Sequence, residues 1–166
     1  CVAADLASGI LEQIYPKTEL IGIRYHLHTA GPDPMASPAS DQRFAYYDGK
    51  GIPTVAINGK TFRGGGYIMH VESMLERYRE TIDEVLSETV DIELKLSSIA
   101  KDGIIHISAE ALRPEAFEGD VRLRIVLAEE RLLFSASNGI LLHDNVVRRM
   151  IEGEKGIAPQ EGKLEY

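Results

Sequence analysis

The 166-residue chain has one cysteine and no tryptophan. A single cysteine excludes an internal disulfide, so cysteine usage does not report the redox compartment. No apolar run approaches the roughly 18 residues of a membrane span. No signal peptide is visible, which carries no weight if the chain begins inside a longer protein. Its first residue is Cys1 and the chain opens directly into a helical pattern. Positive charge is scarce: 18 Lys and Arg stand against 26 Asp and Glu, a net charge of −8. The deficit is even, roughly −4 on either side of residue 88. Without a basic tail, a Lys/Arg stripe or a basic run with interleaved aromatics, the composition argues against nucleic-acid and anionic-membrane partners. Internal repeats and low-complexity tracts are also missing.

What is present suits a folded core. The hydrophobic fraction is 44%, and the length allows one large domain or two small ones. In residues 2 to 15, Val2, Leu6, Ile10 and Ile14 recur every fourth residue beside Ala3, Ala7 and Leu11, which predicts an amphipathic helix ended by Pro16. Residues 20 to 28 (LIGIRYHLH) read as a strand, with Ile21, Ile23, Tyr25 and Leu27 on one face and Gly22, Arg24, His26 and His28 on the other. A connection containing Pro32, Pro34 and Pro38 follows, and Ser40 is the expected N-cap of a short helix through Tyr47. The longest helix is expected over about 67 to 87, with Ile68, Val71, Leu75, Tyr78, Ile82 and Val85 as its apolar stripe and Arg79–Asp83 as an i,i+4 pair.

After residue 88 the period changes from 3.6 to 2. Val90, Ile92, Leu94 and Leu96 alternate with Asp91, Glu93 and Lys95, predicting a half-buried strand. Asp102-Gly103 turns it into a second strand over 104 to 112, and Val121, Leu123, Ile125 and Leu127 mark a third. The expectation is two domains, 1–88 and 89–166, the second an antiparallel sandwich or a sheet packed on a neighbour. Gly162 to Tyr166 reads as the opening of a further strand, so the second domain is expected to stop early in this sequence.

The stretch GKGIPTVAINGK, residues 49 to 60, is the most informative locally. Thr54 to Ile57 reads as a buried strand, and Asn58-Gly59 turns it into a partner near 60 to 63. Pro53 stands at the strand's start, where its missing N–H is tolerated. An Ile-Pro bond there is either a loop proline ending a turn or a cis peptide.

The order helix, strand, short helix, strand, hairpin strand, helix resembles a thioredoxin fold without its first strand. CVAADLASGILEQIYP resembles the first helix of thioredoxin-like proteins, with Cys1 at the second cysteine of their Cys-x-x-Cys motif. GIPTVAINGK resembles their cis-proline strand, with Pro53 at the cis-proline. YHLHTAGPDP, SDQRFAYY and NGILLHDNVVRRM (138 to 150) are similar to secreted bacterial members with a β-rich C-terminal domain, related to outer-membrane-associated proteins. The resemblance spans nearly the whole chain. It implies an α/β thioredoxin-like domain followed by an antiparallel β-sandwich-like domain. It further implies a secreted, periplasmic or cell-envelope location and thiol-disulfide exchange on protein thiols or extended peptide segments. Neither the strand before the first helix nor the first motif cysteine is in the sequence. The implied protein is therefore longer, or a partner supplies the strand.

In that reading Cys1 is the resolving thiol, activated by the unpaired N–H groups and dipole of a helix N-terminus. Pro53 places the main chain of Ile52, with Thr54 beyond it, against an extended substrate. No cofactor is implied. The plainer readings are a buried packing cysteine and a structural turn at Pro53. His26 and His28 at i,i+2 raise a shared metal as an alternative, though a third ligand is not evident, and His143 lies far along the chain. Arg148-Arg149 suggests an exposed pair without specific use. Gly64 to Gly66 lack the lysine and spacing of a phosphate loop. Glu129 and Glu130 are expected to face opposite ways on a strand. A non-catalytic binding or assembly module with the same fold is the rival to the oxidoreductase.

Overall fold

The computed structural model describes residues 2–28, 31–63, 70–89, 92–112, 120–151, 153, 155–158, 164 and 165. Helices and antiparallel strands are both present. Three helices, α1 (Val2–Ile14), α2 (Pro38–Tyr46) and α3 (Val71–Leu86), precede most of the strands. β1 (Thr54–Ile57) and β2 (Lys60–Arg63) form an antiparallel hairpin between α2 and α3. Asn58 and Gly59 both take positive φ, 42° and 87°, as a two-residue hairpin turn requires.

The later strands are β3 (Glu93–Lys101), β4 (Ile104–Leu112), β5 (Ile125–Glu129), β6 (Leu132–Leu133), β7 (Leu142–His143), β8 (Val146–Ile151) and β9 (Leu164–Glu165). β3, β4 and β9 make a three-stranded sheet in that order, while β5 pairs with β8 and β6 with β7. No helix among the described residues is long and apolar enough to cross a membrane.

The chain parts into two compact units. One is Cys1–Thr89 with Ala128–Arg148, and the other is Val90–Leu127 with Arg149–Tyr166. In the first, Ala4, Ala7 and Leu11 of α1 pack with Met74, Tyr78 and Ile82 of α3, and Leu20, Val55 and Ile57 join that cluster. Each large side chain fully withdrawn from water there contributes about 1.5–3 kcal/mol. Tyr15, just after α1, donates its hydroxyl to Asp83 of α3. On the wet side of α3, Arg79 and Asp83 stand 3.9 Å apart, as the spacing predicts.

Several expectations need correction. α1 buries its alanine side, while the Val2, Leu6, Ile10 and Ile14 stripe stays exposed. Small side chains let α1 approach α3 closely, and that closeness outweighs the larger apolar area of the stripe. Residues 20 to 28 form no ladder: Arg24 alone bridges to Val146, in parallel. β8 meets the segment only at that bridge, and Ile21 and Ile23 remain exposed.

The cap of α2 is Ser37, not Ser40, with Pro38 in the first turn. Ser37 Oγ accepts the Ser40 N–H at 3.2 Å, and Ser40 itself is fully buried. β3 is exposed on both faces rather than half-buried. The third strand begins at Ile125, and Leu123 makes only a bridge to Ile157. Ile68 of the α3 stripe, Val90 and Asp91 of the β3 alternation, and Gly64 to Gly66 lie outside the described residues.

Candidate functional site

Pro53 immediately precedes β1, and its bond to Ile52 is cis, the form the thioredoxin-like resemblance implies. The loop reaching it is set by α2. Gly49 N–H donates to the Phe44 carbonyl at 3.0 Å, and a Cβ at Gly49 would collide with the Phe44 ring. Only glycine lets the main chain lie against that ring. Thr54 Oγ then donates to the Gly51 carbonyl at 2.5 Å, closing the loop across Ile52. Ile52 is exposed, and among the described residues no hydrogen bond engages its main chain. Cys1, and with it the expected closeness of its sulfur to residues 52 and 53, lies outside the described residues.

A second polar group gathers around the segment at Arg24. Arg24 Nη1 and Nη2 bind Glu12 Oε1 and Oε2 at 2.8 and 2.5 Å, a bidentate pair mostly withdrawn from solvent. A Cβ at Gly22 would run into the Glu12 carboxylate and the Arg24 guanidinium, so glycine lets the fork lie where it does. The Arg24 main chain holds its place by accepting from Val147 N–H and donating to the Asn145 carbonyl, each at 2.9 Å.

Two residues on, His26 Nδ1 lies 2.8 Å from Asp33 Oδ2. An ionised carboxylate only accepts, so Nδ1 carries the proton and Nε2 is the basic nitrogen of the neutral ring. Asp33 Oδ1 also accepts the Met35 N–H at 2.8 Å. The His26 ring meets the His143 ring edge-on, 5.4 Å between centroids. His143 is buried on β7, and its Nε2 lies 3.1 Å from the Phe134 carbonyl, which can only accept. Its Nε2 therefore bears a proton as well.

Electrostatically, burial raises the Asp5 carboxyl above its usual range, although Arg24, His26 and His143 all pull the other way. Burial also pushes Asp33 up, but the His26 and Met35 hydrogen bonds outweigh it and leave the carboxyl low. Two carboxyls with opposite shifts therefore share the field of the same two imidazoles. Asp5 is absent from the sequence reading. The signal available there was an acid set among Ala3, Ala4, Leu6 and Ala7 in an otherwise apolar helical start.

The shared-metal alternative finds no third ligand. His28 pairs with a different carboxylate, Nδ1 to Asp41 Oδ2 at 2.6 Å, and no group of three metal-ligating side chains occurs among the described residues. Arg148 is engaged, its Nε 2.7 Å from Glu129, and Glu130 instead takes Lys17 at 2.9 Å. The two glutamates thus serve different partners, and Glu130 lies just past the end of β5 rather than on the strand as expected. No protein-family model, no curated protein and no solved structure matches the chain.

Proposed function

We propose that the chain belongs to a thiol-disulfide oxidoreductase of the bacterial envelope, with a thioredoxin-like domain and a β-sandwich-like domain. Cys1 is its resolving thiol, Pro53 the proline beside the site, and Ile52 and Thr54 line an extended peptide substrate. One observation supports this most: α1, which directly follows Cys1 in sequence, and β1, which directly follows Pro53, share one apolar cluster with α3. Supporting it further, Ile52 is exposed and no hydrogen bond among the described residues engages its main chain, as pairing with a substrate strand requires.

The sequence holds one cysteine, so the reading needs a second thiol, a cysteine three positions before Cys1 in the full-length protein. That cysteine attacks a substrate disulfide and forms a mixed disulfide. The Cys1 thiolate then attacks the bridged enzyme sulfur, closes an internal disulfide and expels the substrate thiolate. Full-length protein is expected to catalyse insulin reduction by dithiothreitol. Its Cys1→Ser variant is expected to lose most turnover and to retain substrate as a mixed disulfide. No turnover, or turnover unchanged by Cys1→Ser, refutes the reading. The single cysteine favours a second reading, a binding or assembly module, and a full-length sequence without that upstream cysteine selects it.

A further inference from the structure

The second unit carries a strand edge that its own described residues leave open. β3 runs nine residues without proline or glycine and pairs with β4 residue for residue, from Glu93 opposite Leu112 to Lys101 opposite Ile104, with no bulge. It is the outer strand of the β3-β4-β9 sheet. Its other edge therefore offers main-chain N–H and C=O groups that no strand among the described residues takes. Folded proteins usually blunt such edges by shortening or bulging them, by proline, or by charges turned toward the apolar side. β3 uses none of these, and of the usual edge devices it carries only charged side chains. Its charges, Glu93, Lys95 and Lys101, share one face, and Leu94 and Leu96 occupy the other.

The apolar face is abruptly uncovered at this strand. Ala109 and Ala111 of β4 are buried, whereas Leu96 and Leu94 directly opposite them are 72% and 68% exposed. Side chains of that size at an open edge are the best-placed apolar groups in the unit for a partner strand.

We propose that β3 pairs antiparallel with β3 of a second copy of this chain, about a two-fold axis at Ser97. The charge pattern selects that occupant and that register. Centred on Ser97, each Glu93 stands opposite the partner copy's Lys101, twice per dimer, while Leu94 meets Ala100, Lys95 meets Ile99 and Leu96 meets Ser98. This is the one symmetric register that pairs all nine residues. A shift of the axis to Ser98 shortens the ladder and sets Lys95 against Lys101, also twice, which is repulsive. Within one copy Glu93 has only a distant neighbour, Lys95 at 3.8 Å, and Lys101 has no ion partner among the described residues. The join also brings the two Leu96 side chains to diagonal positions on one face, within reach of each other.

The proposal is independent of the thiol chemistry, and reductant in the buffer removes any cross-link through Cys1. Sedimentation velocity over a micromolar concentration series is expected to show a monomer–dimer equilibrium. Glu93→Lys and Lys101→Glu each turn two attractions into two repulsions and weaken the dimer about tenfold. Glu93→Lys/Lys101→Glu together restore it, because the pairing is reciprocal. All these sites are exposed, and circular dichroism checks that each variant keeps its fold. A chain that stays monomeric, larger assemblies that do not resolve into dimers, or a dimer that ignores the reversals or is not rescued by the double swap overturns the proposal.

Discussion

Asp5 and Asp33 belong to one electrostatic neighbourhood but act on stability with opposite sign. In the unfolded chain an aspartate titrates near 3.8. Asp5 is raised by burial in the folded state, so between those two values the folded chain holds the extra proton and stability falls as pH rises. At neutral pH the full penalty is present. Asp5→Asn is therefore expected to raise the melting temperature at pH 7 relative to wild type, with the gain fading toward pH 3. Asp33 is lowered by His26 despite burial, so its contribution is present above pH 3.8 and lost as pH falls through its folded value. Asp33→Asn is expected to lower the melting temperature at pH 7 and to converge with wild type in acid. Thermal melts of the two variants across this range check both signs. Neither shift was legible in sequence, because Asp5 is raised by burial that only packing creates and Asp33 is held low by the His26 and Met35 hydrogen bonds that folding brings to it.

Helix α1 carries the clearest element-scale lesson. Its periodicity revealed a helix and its ends correctly, yet the i,i+4 stripe of large residues is not the buried face. Leu11 is 2% exposed and Leu6 is 50% exposed. Leu11→Ala is expected to cost about 2–4 kcal/mol, and Leu6→Ala under about 1 kcal/mol, in urea unfolding of the chain. Equal costs would reverse the assigned orientation. The hairpin was legible for a local reason: Asn58-Gly59 specifies its turn irrespective of surroundings. Ser40 misled because any serine ahead of a helical pattern resembles a cap. Ser37 won because Pro38, with its fixed φ and absent N–H, suits the first helical position. The segment at residues 20 to 28 has strand composition but one bridge, since a strand exists only where another main chain lies alongside it.

At the scale of the whole molecule, a net charge of −8 stands against several exposed large apolar side chains. Ile21, Leu94, Leu96 and Leu133 are all exposed, and the net charge of −8 vanishes near the sequence pI of about 5.1. Turbidity is expected to pass through a maximum near pH 5 and to clear toward neutrality. Clear solutions throughout that range would mean that these side chains are covered. The return of Ala128–Arg148 to the unit formed by the first 89 residues is also a whole-chain property. It brings His143 beside His26, a pairing 117 positions apart in sequence that no local pattern announces.

The amino-acid order by itself determined that helices occupy the stretches read as 2–15 and 67–87, observed over 2–14 and 71–86, together with the hairpin turn at 58–59, the turn at 102–103 and the acidic balance. All of these depend on residues within one or two turns of each other. Tertiary structure alone decided which side of α1 is dry, that Arg24 takes Glu12, and that Asp5, Asp33, His26 and His143 share one field. Burial and ionisation depend on which distant atoms displace water, and periodicity carries no record of that.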